Sequence, residues 1–227
     1  MPTNTQYICY LCGQVIETKS TDDPMELSMD HVPPRQFYHK QIRATQNLNL
    51  NVAPSHKRCN EAYKEDEEYF YLSMFPIVAK NNPMMEDLYF QDIIRRSQQP
   101  QMPSKLRKIL STAVTVTEGG IHLPNGRRRL TIDRERIKRV VSKIARGILF
   151  LSTERYFQEK QIICVNFYDN SSEIIDLYLP ALKLHPLAGI YPDVFAHSHF
   201  SSKGFRLLLM LFWKAFMFSV TVKDCKS

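Results

Sequence analysis

Apolar positions along the first third of the chain come in short bursts. Leu27–Val32 reads as a brief strand ending at Asp30-His31, and Pro33-Pro34 stops it, since proline continues neither a helix nor a strand ladder. Before it, Gln6–Ile16 reads as a knuckle with Gly13 easing its turn, and residues 17–28 as a polar loop. Residues 35–46 read as irregular with a helical turn. Leu48, Leu50 and Val52 then alternate with polar residues, which predicts a second strand over Asn47–Val52. A helix is expected from Ser55 or His56 to about Leu72, with Lys64, Glu65, Asp66, Glu67 and Glu68 on its solvated side.

Downstream, Met84–Gln98 and Ser104–Leu110 read as helices. Thr112–Thr117 and Ile121–Leu123 flank Glu118-Gly119-Gly120 as a hairpin would. Asp133 is the expected N-cap of a helix in which Ile137, Val140, Val141, Ile144, Ile148 and Leu151 keep a 3.6-residue period to about Arg155. Ile162–Phe167 reads as a strand, and Glu173–Leu179 fits helix or strand. In the apolar stretch from Leu207 to Val222, Phe216, Phe218, Val220 and Val222 alternate with Met217, Ser219, Thr221 and Lys223, which predicts a closing strand pair. The fold class is α+β, divided as a module over 1–75, a helical connector over 76–110 and an α+β domain over 111–227. No internal repeat or low-complexity tract interrupts it.

The composition, 44% apolar and 23% charged in 227 residues, is that of a folded chain rather than a disordered one. A net charge of +7 points to an anionic partner, most simply nucleic acid. The charge is uneven: residues 1–75 sum to −3 and residues 76–227 to +10, so the downstream part is expected to do most of any gripping. Three of the five cysteines sit at metal-ligand spacing, leaving Cys164 and Cys225 as free thiols, with Cys164 expected to be buried and inert. That usage predicts a reducing, cytoplasmic setting. The polar N-terminus gives no sign of a secretory leader, and the apolar stretch around Lys214 is too short and interrupted for a membrane span.

Two sets of residues carry chemistry. Cys9-x-x-Cys12 and His56-x-x-Cys59 are two pairs at zinc-ligand spacing, with 43 residues between Cys12 and His56. Four protein ligands close a tetrahedron, so the expected role is structural, with about one Zn²⁺ per chain. Interleaved with them are Asp30, His31, Asn51 and Asn60. Asp30 is a hard oxygen ligand suited to Mg²⁺ or Mn²⁺, His31 can accept a proton near neutral pH, and the amide of Asn60 could face the same cation. Asn51 lies in the segment expected to pass His31.

At these residues the first 75 or so positions resemble the HNH nucleases, whose fold is the ββα-metal (His-Me) finger. The resemblance implies a metal-binding Asp30, a general-base His31, an orienting Asn51 and a metal-binding Asn60. It implies hydrolysis of DNA, expected to be double-stranded, to 5′-phosphate and 3′-hydroxyl ends. Bacterial, phage or mobile-element restriction and anti-phage nucleases are the setting it suggests. Two departures stand out: the family has cysteine where this chain has His56, and Asn60 replaces the third signature histidine. The other readings are a zinc-stabilised DNA- or RNA-binding module without hydrolysis, and a subunit that cuts only with a protein partner or as a homo-oligomer.

The densest basic segment is Arg127, Arg128, Arg129, Arg134, Arg136, Lys138, Arg139, Lys143 and Arg146, against only Asp133 and Glu135. Within it, Arg127, Arg128, Arg129, Arg136, Arg139 and Lys143, joined by Lys64 near the site, are the candidate nucleic-acid contacts. Phe37 and Tyr38 are expected in the core, and His185, His197 and His199 have no metal-site spacing.

Overall fold

The computed structural model of the chain describes residues 6–17, 24–79, 83–114, 129–168 and 171–224. Its contacts cluster into two units, residues 1–68 with 138–227 and residues 69–137, where the sequence suggested consecutive segments. The α+β class is as expected.

The first unit opens with a small antiparallel ribbon, β1 (Tyr7–Ile8) and β2 (Val15–Ile16). A second ribbon pairs β3 (Leu27–His31) with β4 (Val52–His56), in a register that sets Leu27 opposite His56 and His31 opposite Val52. Between them lie a 3₁₀ turn at Arg35–Phe37 and α1 (Lys40–Thr45). The second strand therefore falls after the alternating Leu48-Leu50 stretch, not on it. Pro54 sits inside β4, where a two-stranded ribbon does not need its missing N–H, and its carbonyl accepts the Tyr10 N–H at 3.0 Å.

Two helices replace the single one expected after His56. α2 (Lys57–Glu61) ends in a turn at Ala62-Tyr63, and α3 (Lys64–Ala79) starts afresh. The Tyr63 ring is buried at this corner, which turns Asp66 and Glu67 inward rather than to solvent.

The remainder of this unit is α6 (Arg134–Thr153, from residue 138 onward) and a five-stranded antiparallel sheet. Its strands are β7 (Ile162–Tyr168), β8 (Ala188–Tyr191), β9 (Phe195–Ser202), β10 (Phe205–Phe212) and β11 (Phe216–Lys223), in the order β7-β11-β10-β9-β8. α7 (Ser171–Leu184), the segment the sequence left open, is helical and lays Leu182 on Leu209, Leu211 and Met217. The strand period sends Leu208, Met210, Phe212, Phe218, Val220 and Val222 to the opposite face, where all are fully buried. Phe37 packs there against Phe212 and Trp213, and its carbonyl accepts the Trp213 indole N–H at 3.3 Å, so the turn after β3 docks on the sheet. The closing pair was legible; β8 and β9 were not, because His197, Ser198, His199 and Ser201 blur the apolar alternation.

The second unit holds the rest of α3, α4 (Pro83–Ser97), α5 (Met102–Leu110) and the first turn of α6. Tyr71 stacks on Phe75 with ring centroids 5.2 Å apart, and Arg96, paired with Asp92 at 2.6 Å, lies over the Tyr71 ring. β5 (Ala113–Val114), from the expected Thr112–Thr117 strand, pairs with β6 (Arg129–Leu130); the expected turn at Glu118-Gly119-Gly120 and its partner Ile121–Leu123 lie outside the described residues. The Asp133 carboxylate accepts from the N–H groups of Glu135 and Arg136 at 3.2 Å, as an N-cap does. No helix among the described residues is long and apolar enough to cross a membrane.

Candidate functional site

The two ligand pairs meet. Cys9 and Cys12 flank a turn closed by the Gly13 N–H on the Cys9 carbonyl at 2.8 Å, with Gly13 at φ +76°, a left-handed conformation that suits glycine. His56 is the last residue of β4 and Cys59 stands one turn into α2, so the strand-to-helix corner delivers the second pair. His56 Nδ1 lies 3.3 Å from Cys12 Sγ and 3.9 Å from Cys59 Sγ, and the four ligand atoms all lie within 4.8 Å of one another. A tetrahedron with Zn–S near ~2.3 Å has edges of about 3.8 Å, so the four are close enough to bind a metal ion and compatible with structural zinc. Burial, with the neighbouring thiols, pushes the Cys59 thiol up to about 12 and raises Cys12 as well. Crowded thiols resist ionising together, and a bound cation is what reverses that preference.

A few residues away, a second polar cluster is buried. The strand period brings Ser28 and Asp30 to one face of β3, and α2 sets Asn60 across from them, its amide N–H on Ser28 Oγ at 3.4 Å. Asp30 Oδ2 accepts from the Tyr10 hydroxyl at 2.5 Å. The oxygens of Asp30 and Asn60 do converge on one cation, and that cation is the ammonium of Lys143 from α6. Lys143 Nζ stands 2.7 Å from Asp30 Oδ2, 3.1 Å from Asn60 Oδ1 and 2.5 Å from Glu67 Oε1. Asp30 is 5% exposed, Glu67 9% and Lys143 1%. Burial raises the Glu67 pKa above the usual carboxylate range, against the pull of Lys143. Burial and the Asp30 carboxylate drive the Tyr10 phenol well above its ordinary value.

This arrangement does not fit a catalytic divalent ion. Mg²⁺ demands an octahedral shell at about 2.0–2.1 Å and keeps several waters. Here the oxygens expected for it are spent on an ammonium in a nearly sealed site. Lys143, a candidate nucleic-acid contact in the sequence, is instead buried, its ammonium held by Asp30, Glu67 and Asn60 rather than offered to a phosphate.

His31, next along β3, leaves on the opposite face from Asp30 by the same alternation. Burial lowers its pKa below the ordinary histidine value, with Arg35 the next cause and Arg43 contributing in the same direction. Arg35 is exposed, and Arg43 Nε donates to the Tyr38 carbonyl at 3.0 Å. Neither arginine was singled out in the sequence, although both lie within twelve positions of His31. Asn51 accepts the Val32 N–H on its backbone carbonyl at 2.9 Å. It lines a cavity of about 210 Å³ with Tyr38, Ser152, His197 and His199. Burial lowers the His197 pKa to about 4, and its Nδ1 is buried without a hydrogen-bond partner.

The other basic candidates divide. Arg139 pairs with Asp66 at 2.6 Å and lies over the Tyr63 ring, while Arg136 lies over Tyr69. Arg146 is buried and donates to the carbonyls of Phe157 and Leu11, which anchors α6 to the cysteine knuckle. Lys64 is exposed at the start of α3. Arg129 lies in β6, and Arg127, Arg128 and Cys225 lie outside the described residues. Cys164 is half-buried with its thiol 3.1 Å from Asn166 Oδ1, not sealed in an apolar strand as expected.

Compared with protein-family models, with curated proteins and with solved structures, the chain matches none.

Proposed function

We propose that the chain is an HNH-type endonuclease directed at DNA phosphodiesters, with His31 as general base and a structural Zn²⁺ on Cys9, Cys12, His56 and Cys59. The observation that carries this reading is the placing of a half-buried His31 at the end of β3, in the β3–β4 ribbon that runs into α2 beside the Cys9, Cys12, His56 and Cys59 cluster; burial and Arg35 lower its pKa against the pull of Asp30. A neutral imidazole takes a proton from water at neutral pH. The hydroxide formed attacks phosphorus, one P–O ester bond breaks, and the departing oxygen is protonated from solvent. Arg35 and Arg43 draw in the phosphate and offset the charge that builds on its oxygens. Zinc with four protein ligands has no open position, so it holds the fold and takes no part in the reaction. Mg²⁺ or Mn²⁺ on Asp30 and Asn60 would supply Lewis acidity, but with Lys143 between those residues no step is assigned to either ion.

A second reading, nucleic-acid binding without hydrolysis, is favoured by that same lysine. Nicking of supercoiled plasmid, with metals varied and DNA binding followed in parallel, separates the two. The nuclease reading expects nicking by the wild type that His31→Ala abolishes at unchanged zinc content. Equal nicking by the variant removes His31 from the chemistry. Binding with no nicking in any metal moves the protein to the second reading.

A further inference from the structure

The ammonium at the strand end is matched to its surroundings. A lysine has three N–H donors and no acceptor. Lys143 meets three acceptor oxygens, one each from Asp30, Glu67 and Asn60, on β3, α3 and α2. No fourth donor is left over for a substrate, and the ammonium lies over the Tyr63 ring, 5.2 Å from Nζ to its centroid. Two carboxylates and an amide oxygen converging on one point are a hard oxygen set of the kind that divalent cations prefer. The chain fills that point from within, using a residue 83 positions from Asn60.

We infer that Lys143 is an internal substitute for a divalent cation: Asp30, Glu67 and Asn60 form a latent metal site, closed in the wild type by the ammonium and opened to Mn²⁺ or Mg²⁺ when that side chain is shortened. This deepens the reading of the same strand-end site given under the proposed function, and it is read out without cleavage. Shortening Lys143 to alanine removes one positive charge from between two carboxylates and vacates the space its stem and ammonium fill. Water can enter a polar space of that size, and a hydrated divalent ion needs both the room and the charge. The zinc ligands lie outside the cluster, so the knuckle is expected to keep its metal.

The test is a Mn²⁺ titration of zinc-loaded protein followed by electron paramagnetic resonance. Wild type and Asp30→Asn are expected to bind Mn²⁺ equally weakly, because Asp30 is already committed to Lys143. Lys143→Ala is expected to gain one site, tighter than any in the wild type by about 10–100-fold. Adding Asp30→Asn to Lys143→Ala is expected to abolish the gain. A folded, zinc-replete Lys143→Ala without the gain overturns the inference. So does a wild-type Mn²⁺ site that Asp30→Asn weakens, a result that needs no lysine variant to fold. If the wild type never nicks DNA while Lys143→Ala gains its Mn²⁺, the nuclease reading falls and this one stands.

Discussion

Adjacent residues on β3 divide the work of this site. Asp30 turns inward to an ammonium, and His31 turns to the other face, where burial and then Arg35 lower its pKa against the opposing pull of Asp30. A pKa held below the histidine value of about 6.5 has two consequences with definite signs. The unprotonated base persists to lower pH, so the acid limb of the nicking rate is expected below pH 6.5; a limb above it contradicts the proposed setting. The unfolded chain also binds a proton at residue 31 that the folded chain refuses, so this residue's contribution to stability is full above pH 6.5. It is lost as pH falls through the lowered value. Denaturant melts at stepped pH read that slope, which His31→Ala is expected to flatten. At this scale the sequence was informative about ligand identity but not about pairing. Asp30, Asn60 and the zinc set stand out by spacing, whereas Lys143 looks like any of nine bases in a run.

Among the elements, α6 decides how the strand end is filled. Over residues 141–149 its polar face, Ser142, Lys143 and Arg146, is buried along with the apolar one, because the oxygens of Asp30, Asn60 and Glu67 and the carbonyls of Leu11 and Phe157 receive the two cations. The apolar stripe was visible in the sequence; that the opposite, polar arc is also covered was not, because its partners lie far away in the chain. α6 comes close to the end of β3 through Gly147, where an added Cβ would meet Val32 Cγ2 at 2.6 Å and Cγ1 at 2.8 Å. Val32 is short and branched, so it cannot swing clear, and the helix or the strand end must shift. Gly147→Ala is therefore expected to destabilise the chain by about 1–3 kcal/mol, and unchanged denaturation would show that the helix has slack at this point. β4 differs from expectation because alternation at Leu48 and Leu50 marked the segment before it, while the strand itself holds Pro54, which a ribbon of two tolerates.

For the molecule as a whole, long-range ties set what was legible. Cys12 and His56 are 44 positions apart, yet their chemistry is local enough to be read from spacing. The sheet's closing pair showed in its alternation, but nothing in the sequence tells that residues 138–227 cluster with residues 1–68. With four ligands joining the knuckle to the β4–α2 corner, protein purified without added zinc is expected to carry about one zinc per chain. Cys59→Ser is expected to lower both zinc content and melting temperature. Elemental analysis that finds no metal in an intact fold removes zinc from the account.

The central claim is that the cation joining β3, α2 and α3 is Lys143. Anomalous diffraction at the manganese edge, from zinc-loaded wild-type crystals soaked in Mn²⁺, tests it most directly. The account predicts no manganese peak among Asp30, Glu67 and Asn60, and density for the lysine ammonium in its place. A manganese peak about 2.1 Å from the Asp30 and Asn60 oxygens, with the lysine turned away, would contradict it.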